Sequence, residues 1–360
     1  MKIRSALRNF RPYQWEPSTR EIARSVGLSP NRIIRMDANT SPFLPTSPLR
    51  ALASRIADFP VNEYPDTSYH ELSRELARYT GVRQERLVIT NGADEALDII
   101  SKVFLGPSDE AIIPHPTYSM FRIVTEIMGA APKLVRRNPD LSLNAESIKQ
   151  EISAKTRVIF LCSPNNPTGD TISVETARNI VESTDAMVVI DEAYYEFCGR
   201  TLADLTEDHE NVAIVRTFSK AFSMAGVRVG YILASKRTVE TMNLVRPPNS
   251  LSVISLALAQ SALKDKRSMR RNVRSIMRER KRCAEIMGEL KGIEVLPGEG
   301  NFVLFRVKKS AKSLNQKLLK KGIVLRDLST VRNLEGCLRV TISTLKNNDM
   351  FLDALEASLN

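Results

Sequence analysis

The chain has 360 residues, of which 42% are hydrophobic and 26% are charged, and its formal net charge is +11. This length exceeds what one hydrophobic core usually organises, and the composition is ordinary for a globular protein. No apolar run is long enough to cross a membrane, and the first ten residues lack the apolar core of a signal peptide. We therefore expect a cytoplasmic protein with two domains and no membrane partner.

Cysteine and histidine are sparse along the chain. The four cysteines, Cys162, Cys198, Cys283 and Cys337, have no paired spacing, which is typical of reduced, buried thiols. The three histidines also lack the spacing of metal ligands. The sequence therefore predicts no disulfide framework and no metal centre.

The first part of the chain is rich in proline, including Pro12, Pro17, Pro30 and Pro42. Proline fixes one backbone dihedral and removes a hydrogen-bond donor, so such a stretch favours irregular structure. We interpret residues 1–45 as an N-terminal arm that joins a smaller C-terminal domain.

From about Glu85, short apolar runs alternate with amphipathic helical patterns. The apolar runs are RLVIT, EAIIP, TRVIFLCSP, AMVVIDEAYYEF, NVAIVRTFS and VRVGYILAS. Continuous apolar strands that alternate with helices indicate an α/β fold whose sheet is mostly parallel and covered on both faces. We assign residues 46–250 to a large domain of this type.

After Leu251 the pattern changes to helices followed by a few strands, which predicts a smaller α+β domain over residues 251–360. Its most basic stretch, KRSMRRNVRSIMRERKR, raises the question of nucleic-acid binding. Apolar residues recur through it at helical spacing, at Met269, Val273, Ile276, Cys283 and Met287. We therefore interpret it as an amphipathic helix with a solvated basic face.

Chemically distinctive residues follow several of the predicted strands. Lys220 lies in an apolar turn, where loss of hydration favours a neutral, nucleophilic amine. Asp191 ends an apolar strand, which suits a carboxylate only if a cation pairs with it. Gly92-Ala93-Asp94 begins a helix directly after a strand, and such helix starts bind phosphate. Since ligands collect at the carboxyl ends of parallel strands, we expect these groups to meet there.

Each feature alone has a simpler explanation. A single lysine in a loop is usually solvated, Asp191 could pair with an arginine, and an acidic helix start needs no ligand. The order and placement of several such motifs at the strand ends of one sheet favour a functional interpretation.

The motifs NGADE, PTY, SPNNPTG, DEAY and SKAFSMAGVRVGY resemble those of the fold type I, class II pyridoxal-phosphate-dependent aminotransferases. The resemblance covers nearly the whole chain and is closest to the histidinol-phosphate aminotransferases, through PYQWEPSTREIARSVG, EYPD, GIVLRD and GCLRVTIST. It implies a pyridoxal 5'-phosphate cofactor and transfer of an amino group from histidinol phosphate to 2-oxoglutarate in histidine biosynthesis. It also implies ping-pong kinetics and a homodimer with shared active sites.

The resemblance assigns roles to residues of this chain. Lys220 forms the Schiff base with the cofactor and then moves the proton, while Asp191 pairs with the pyridine nitrogen. Tyr194 and Asn166 bond the phenolic oxygen, and Tyr118 stacks on the ring. By the same resemblance, the cofactor phosphate is surrounded by Ala93, Asp94, Thr217, Ser219 and Arg228. Tyr64 reaches that phosphate from the neighbouring subunit. Arg339 binds the substrate α-carboxylate, and Arg326 binds the substrate phosphate.

Two segments differ from the pattern of the subgroup. DANTSPF has Thr40 and Ser41 where an acidic and an amide residue are usual, and VRPPNSLSV has Asn249 where an aromatic residue is common. The alternatives are therefore another amino-acid aminotransferase or a threonine-phosphate-type decarboxylase with the same cofactor. A nucleic-acid-binding protein that only keeps the fold is a third hypothesis. The intact Lys220, Asp191 and Tyr194 argue against it, so no nucleic-acid partner is expected.

Overall fold

The computed structural model describes residues 2–8 and 10–359, which form two sheets and the helices around them. The strands are β1 (Ile34–Met36), β2 (Leu87–Thr90), β3 (Glu110–His115), β4 (Ala131–Arg136), β5 (Thr156–Cys162), β6 (Met187–Asp191), β7 (Val212–Thr217), β8 (Gly230–Ala234), β9 (Ile293–Val295), β10 (Phe302–Val307), β11 (Ile323–Asp327) and β12 (Cys337–Thr341). The α-helices are α1 (Thr19–Ser25), α2 (Thr46–Ala53), α3 (His70–Thr80), α4 (Gly92–Phe104), α5 (Met120–Met128), α6 (Ala145–Gln150), α7 (Val174–Val181), α8 (Tyr195–Cys198), α9 (Leu205–Asp208), α10 (Lys236–Asn243), α11 (Val253–Lys264), α12 (Lys266–Glu289), α13 (Ala311–Lys320) and α14 (Leu345–Leu359). Short 3-10 turns connect several of them.

The larger sheet has seven strands in the order β2-β8-β7-β6-β5-β3-β4. The neighbours from β7 to β4 are all parallel, whereas β8 is antiparallel to both β7 and β2. Parallel strands need crossover connections, and helices supply them here. The predicted α/β fold with a mostly parallel, mixed sheet is confirmed.

Both faces of the larger sheet are buried. Alternate residues of β5 illustrate this, because Phe160 packs into a cluster with α4, α5 and α10 while Leu161 packs into one with α6, α7 and α9. This period-two alternation with apolar residues on both faces explains the uninterrupted apolar runs in the sequence.

The smaller sheet has five strands in the order β1-β11-β12-β10-β9. The first strand, β1, runs parallel to β11, with Ile34 opposite Ile323, and the other neighbours are antiparallel. Helix α13 packs on β11, and α14 packs on α13 and α12. A segment near the start of the chain therefore completes a sheet built mainly from its last third. The domain limits at residues 45 and 250 stay predictions.

The N-terminal arm has more regular structure than the sequence analysis expected. Besides β1, it contains α1, which begins with a capping box: Ser18 Oγ accepts from the Glu21 backbone N–H, and Glu21 returns a carboxylate to the Ser18 N–H. This reciprocal pair satisfies donors that a helix start leaves open. The expectation of an irregular arm is wrong over α1 and β1, because the S-x-x-E pattern from Ser18 to Glu21 starts a helix and β1 pairs with β11.

Helix α12 carries the most basic stretch of the chain. Its apolar residues Met269, Val273, Ile276, Cys283 and Met287 are all buried, as the helical spacing predicts. The exposed side of the helix carries arginines and one lysine: Arg267, Arg270, Arg271, Arg274, Arg278 and Lys281. The prediction of an amphipathic helix with a solvated basic face is confirmed.

Among the described residues, none of the helices has the length and apolar character needed to cross a membrane.

Candidate active site

A cavity of about 400 Å³ opens at the carboxyl ends of the parallel strands, between the larger sheet and the smaller one. It is the location expected for a ligand site in an open α/β sheet. Twelve of the residues singled out from the sequence line it: Ala93, Asp94, Tyr118, Asn166, Asp191, Tyr194, Thr217, Ser219, Lys220, Arg228, Arg326 and Arg339. The structure therefore brings together groups that are dispersed over most of the chain.

Lys220 follows β7 in a turn, and its neighbours on both sides, Ser219 and Ala221, are buried. Its Nζ donates to the Ala38 carbonyl oxygen at 3.3 Å and lies 5.6 Å from the centre of the Tyr194 ring. Burial, together with the positive charge of Arg339, lowers the pKa of Lys220 to about 8. A sizeable fraction of the amine is therefore neutral near neutral pH and can act as a nucleophile.

Asp191 ends β6 on the floor of the cavity, and only 3% of its surface is exposed. Its Oδ1 accepts from the Ala193 backbone N–H at 2.9 Å. Burial is the main cause that raises the pKa of Asp191 to about 7. A carboxylate in such a place is stabilised by a cation, so the cavity favours a ligand that brings positive charge to this point.

The start of α4 forms one side of the cavity. Gly92 has a φ of +78°, and a Cβ there would lie 2.7 Å from Arg228 Nη2. A Cβ on Gly230 would lie 2.6 Å from the Gly92 carbonyl carbon. Glycine at both positions lets β8 and the Arg228 side chain approach the helix start closely. The first N–H groups of α4 and a guanidinium thus share one small region.

Two hydroxyl groups complete this region. Thr217 Oγ1 donates to Ser219 Oγ at 2.9 Å, and Arg228 Nη1 donates to the same Ser219 oxygen at 3.4 Å. Arg228 Nη2 also donates to Asp94 Oδ2 at 3.2 Å. Hydroxyls, a guanidinium and a helix N-terminus together are the donors that a phosphate group prefers.

Tyr118 forms the wall of the cavity beside α4. Its hydroxyl donates to Asp94 Oδ1 at 2.9 Å, and its ring packs edge-on against Phe121 with 5.9 Å between ring centres. Burial raises the pKa of Tyr118, so the hydroxyl stays protonated. Because the hydroxyl and one edge of the ring are held, the ring is a fixed surface for a flat ligand.

Tyr194 and Asn39 meet on the side of the smaller sheet. Asn39 Nδ2 donates to the Tyr194 hydroxyl at 3.0 Å, and Asn39 Oδ1 accepts from Thr341 Oγ1 at 3.1 Å. Burial raises the pKa of Tyr194. The tyrosine hydroxyl therefore remains protonated and can donate to a ligand oxygen.

Arg326 and Arg339 lie directly opposite each other on β11 and β12. Arg339 donates from Nη1 to Asn166 Oδ1 and from Nη2 to the Asp37 carbonyl oxygen, while its buried Nε has no partner. Burial lowers the pKa of Arg339. Two guanidiniums, one of which has a buried donor without a partner, can bind an anion at this end of the cavity, away from the α4 start.

The chain matches the sequence profile of one protein family, described as aminotransferase class I and II, over residues 31–355. The chain belongs to this family. The prediction of a pyridoxal-phosphate-dependent transaminase from the strand-end motifs is confirmed.

Curated relatives and a solved structure agree with this placement of the aminotransferase. It is 37% identical over 328 residues to the histidinol-phosphate aminotransferase of Caldanaerobacter subterraneus, which covers 91% of this chain and 93% of the relative. It is 36% identical to that of Methanocaldococcus jannaschii over 363 residues, 99% of this chain and 97% of the relative. The crystal structure of histidinol-phosphate aminotransferase from Sinorhizobium meliloti in complex with pyridoxal-5'-phosphate is 26% identical, with a TM-score of 0.87, covering 99% of this chain and 98% of that chain.

Two positions of interest lie away from the cavity of the aminotransferase. Tyr64 is 86% exposed and lines a separate surface groove between the segment before α3 and helix α11. Asn249 has a φ of +57° and a buried, unpartnered Oδ1, and it is not among the described residues that line the cavity. The role of Tyr64 toward a neighbouring subunit stays a prediction.

The sequence analysis missed several cavity residues, among them Glu16, Asp37 and Asn39. The signal for Asn39 is the segment DANTSPF, in which it directly precedes the unusual Thr40 and Ser41. Glu16 lies within the motif PYQWEPSTREIARSVG, but nothing in that segment indicates its partner, because Arg326 is 310 positions away in the chain.

Proposed function

We propose that this aminotransferase transfers the amino group of histidinol phosphate to 2-oxoglutarate, using pyridoxal 5'-phosphate. The pair Arg326 and Arg339, in the same cavity as Lys220, is the observation that carries the proposal. A phosphate or distal carboxylate suits one guanidinium, and an α-carboxylate suits the other. The names of the 36–37% identical relatives support the same choice of donor.

The donor set of the cavity fits pyridoxal phosphate. The start of α4 with Ser219 and Arg228 suits the phosphate, and the Tyr118 ring suits a flat pyridine. Asp191 is buried, which raises its pKa to about 7, so its carboxylate needs a cationic partner. A protonated ring nitrogen would be that partner. The hydroxyl of Tyr194, which stays protonated, would donate to a ring oxygen.

Different residues of the chain would then carry out proton transfer, charge stabilisation and substrate binding. Bound pyridoxal phosphate supplies a conjugated ring that takes up the electron pair left at the substrate α-carbon. Lys220 Nζ would remove the proton from that carbon and pass it on to the cofactor rather than back to the substrate, because its lowered pKa leaves the amine free to accept. Asp191 would stay ionised opposite a protonated ring nitrogen, and Arg339 would hold an α-carboxylate when the acceptor occupies the cavity. Since one cavity serves both substrates in turn, ping-pong kinetics are expected.

The proposal includes a homodimer in which Tyr64 contributes to the phosphate site of the neighbouring subunit. Its support is the high exposure of Tyr64 and its distance from the cavity of its own chain. Cytoplasmic location, the remaining expectation from the sequence, stays a prediction. Sedimentation of the wild-type protein together with mixing of Tyr64→Ala and Lys220→Ala chains tests the shared site. Partial activity restored on mixing supports it, and a monomeric active enzyme contradicts it.

The donor is tested by single-turnover half-transamination with histidinol phosphate, phenylalanine and threonine phosphate, each followed by the absorbance of the cofactor. We expect histidinol phosphate to react with the highest kcat/KM. If histidinol phosphate is the poorest of the three, the proposed donor is wrong. Release of carbon dioxide from threonine phosphate would instead favour the decarboxylase alternative.

A further inference from the structure

The carboxylate of Glu16 is bound to one of the two arginines at the anion-binding end of the cavity. Glu16 Oε1 accepts from Arg326 Nη1, and both side chains are about one third exposed or less, at 27% and 32%. Glu16 belongs to the N-terminal arm, whereas Arg326 belongs to β11 in the smaller sheet. A residue of the arm therefore lies inside the site that a substrate must use.

The carboxylate of Glu16 offsets the repulsion between two neighbouring arginines. Arg326 and Arg339 are directly opposite on adjacent strands, and like charges in such positions repel. The contacts of Arg339 within the chain are to the amide oxygen of Asn166 and the carbonyl of Asp37, which carry no net charge. Glu16 thus supplies a formal negative charge to the pair, as a bound anionic substrate would.

Glu16 has a second cation within reach on the arm side of the cavity. Its Oε2 lies 3.4 Å from Arg35 Nη2, and Arg35 Nη1 donates to the Pro17 carbonyl oxygen at 3.1 Å. Arg35 is itself fixed by a two-point contact with Asp37, at 2.8 and 2.7 Å. If Glu16 leaves Arg326, its carboxylate keeps a partner and is not left exposed to the cost of an unpaired charge.

We propose that Glu16 is a resident stand-in for the distal anionic group of the substrate and is displaced from Arg326 when that group binds. Glu16 thereby determines specificity, because only an anion can replace a carboxylate on a half-buried guanidinium without leaving the guanidinium unpaired. Substrates with a neutral tail leave Glu16 in place and compete with it for space. The identity of the substrate rests on the proposed function, whereas the exchange of anions on Arg326 does not.

The chain carries its own reporter for this exchange. Trp15, next to Glu16, is the single tryptophan of the chain and is 89% exposed. When Glu16 leaves Arg326, the backbone next to Glu16 loses one of the contacts that hold it in place. The Trp15 side chain then becomes more mobile. Its fluorescence anisotropy should fall as an anion takes the place of Glu16.

The test uses the holoenzyme, in which the cofactor already fills the phosphate region at α4, and inorganic phosphate as the probe. Calorimetric titration gives the phosphate Kd for wild type, Glu16→Gln and the control Glu294→Gln, at constant ionic strength. Glu294 pairs with Arg306 at 3.1 Å on an exposed face of the smaller sheet, so its loss is a matched change of charge. We expect Glu16→Gln to bind phosphate about tenfold more tightly and Glu294→Gln to match wild type.

Trp15 anisotropy should decrease with phosphate in wild type and start at the lower value in Glu16→Gln. In an Arg326→Met background phosphate binding should be lost, and Glu16→Gln should not restore it. An unchanged or weaker phosphate affinity in Glu16→Gln overturns the proposal, as does a Trp15 signal that stays constant at saturating phosphate. The half-transamination assay is independent of these titrations: a different preferred donor would refute the proposed function while the anion exchange still held.

Discussion

Arg216 and Glu192 form a buried ion pair behind the cavity wall, and neither is among the residues that line the cavity. Arg216 Nη2 lies 2.8 Å from Glu192 Oε2, and the two side chains are only 4% and 1% exposed. Glu192 directly follows Asp191 on the exit from β6, and Arg216 directly precedes Thr217 on β7. The pair therefore fixes two strand ends whose next residues line the cavity.

Replacing Arg216 with methionine should destabilise the protein by about 3–5 kcal/mol, because Glu192 would remain as a buried, uncompensated carboxylate. Urea unfolding followed by circular dichroism measures the change. Arg237 is a suitable control, since it pairs with Glu210 at 3.2 Å on the surface. Arg237→Met should unfold close to wild type. Equal losses in both variants would refute the special role of the buried pair.

Lys220 should combine with added cofactor faster as the pH rises through about 8, the value to which burial and Arg339 lower its pKa. The reason is that only the neutral amine attacks, and the neutral fraction is one half at the pKa and levels off above it. Stopped-flow absorbance of the cofactor-free protein mixed with pyridoxal phosphate, between pH 6 and 10, measures the rate. Lys220→Ala should give no visible band of the bound cofactor. A rate that keeps rising toward pH 10.5 would show that the amine is not perturbed.

Asp191→Asn should lower the rate of half-transamination about a hundredfold or more, since the charge that stabilises the ring nitrogen is lost. The same variant also shows, in the absence of cofactor, how burial of the carboxyl affects the stability of the fold.

Burial raises the pKa of Asp191 from 3.8 to about 7, so between these pH values the folded state holds a proton that the unfolded state releases. The stability of cofactor-free wild type should therefore fall as pH rises across this window.

Urea unfolding of both cofactor-free proteins at pH 5 and pH 7.5 measures that difference. Asp191→Asn has no carboxyl to titrate, so its stability should decrease less than that of wild type between the two pH values. Parallel pH dependence in the two proteins would mean that the Asp191 carboxyl titrates normally.

Gly298→Ala should destabilise the protein by about 1–3 kcal/mol and raise the KM for the amino acceptor. A Cβ at Gly298 would lie 2.9 Å from both the Gly169 Cα and the Thr168 carbonyl oxygen, so it would push on the loop that carries Asn166. Thermal unfolding and steady-state kinetics measure the two effects.

The control is Gly288→Ala in α12, where a Cβ would meet nothing within 4 Å. Alanine favours the helix over glycine by about 0.8–1.0 kcal/mol, so this variant should be slightly more stable than wild type and fully active. If Gly298→Ala were as stable and as active as Gly288→Ala, the close contact between Gly298 and Gly169 would not be needed for stability or activity.

The sequence was most informative where local rules act. The strand ends that carry Lys220 and Asp191 could be placed because buried parallel strands have a continuous apolar pattern and end in polar residues. Strand β4 lacks such a pattern and was therefore missed. It is an edge strand, its residues are mostly exposed or half-buried, and it contains Pro132. Its sequence, APKLVR, contains no continuous apolar run to detect.

Contacts between distant segments were beyond sequence reasoning. The pairs Asn39–Tyr194 and Glu16–Arg326 join residues 155 and 310 positions apart. Polar pairs of this kind leave no periodic pattern, because one residue on each side is enough to form the hydrogen bond. The cavity could therefore be predicted from the larger sheet, while the wall contributed by the N-terminal arm could not.

The pairing of β1 with β11 has a consequence for synthesis on the ribosome. Ile34 emerges early, yet its partner Ile323 is made only when most of the chain has been translated. The segment around β1 must wait without its sheet while the larger sheet can already fold, since domains commonly fold as they emerge. Nascent chains arrested before β11 should therefore have a protease-sensitive N-terminal arm, and the enzyme should acquire its complete cavity only near the end of translation.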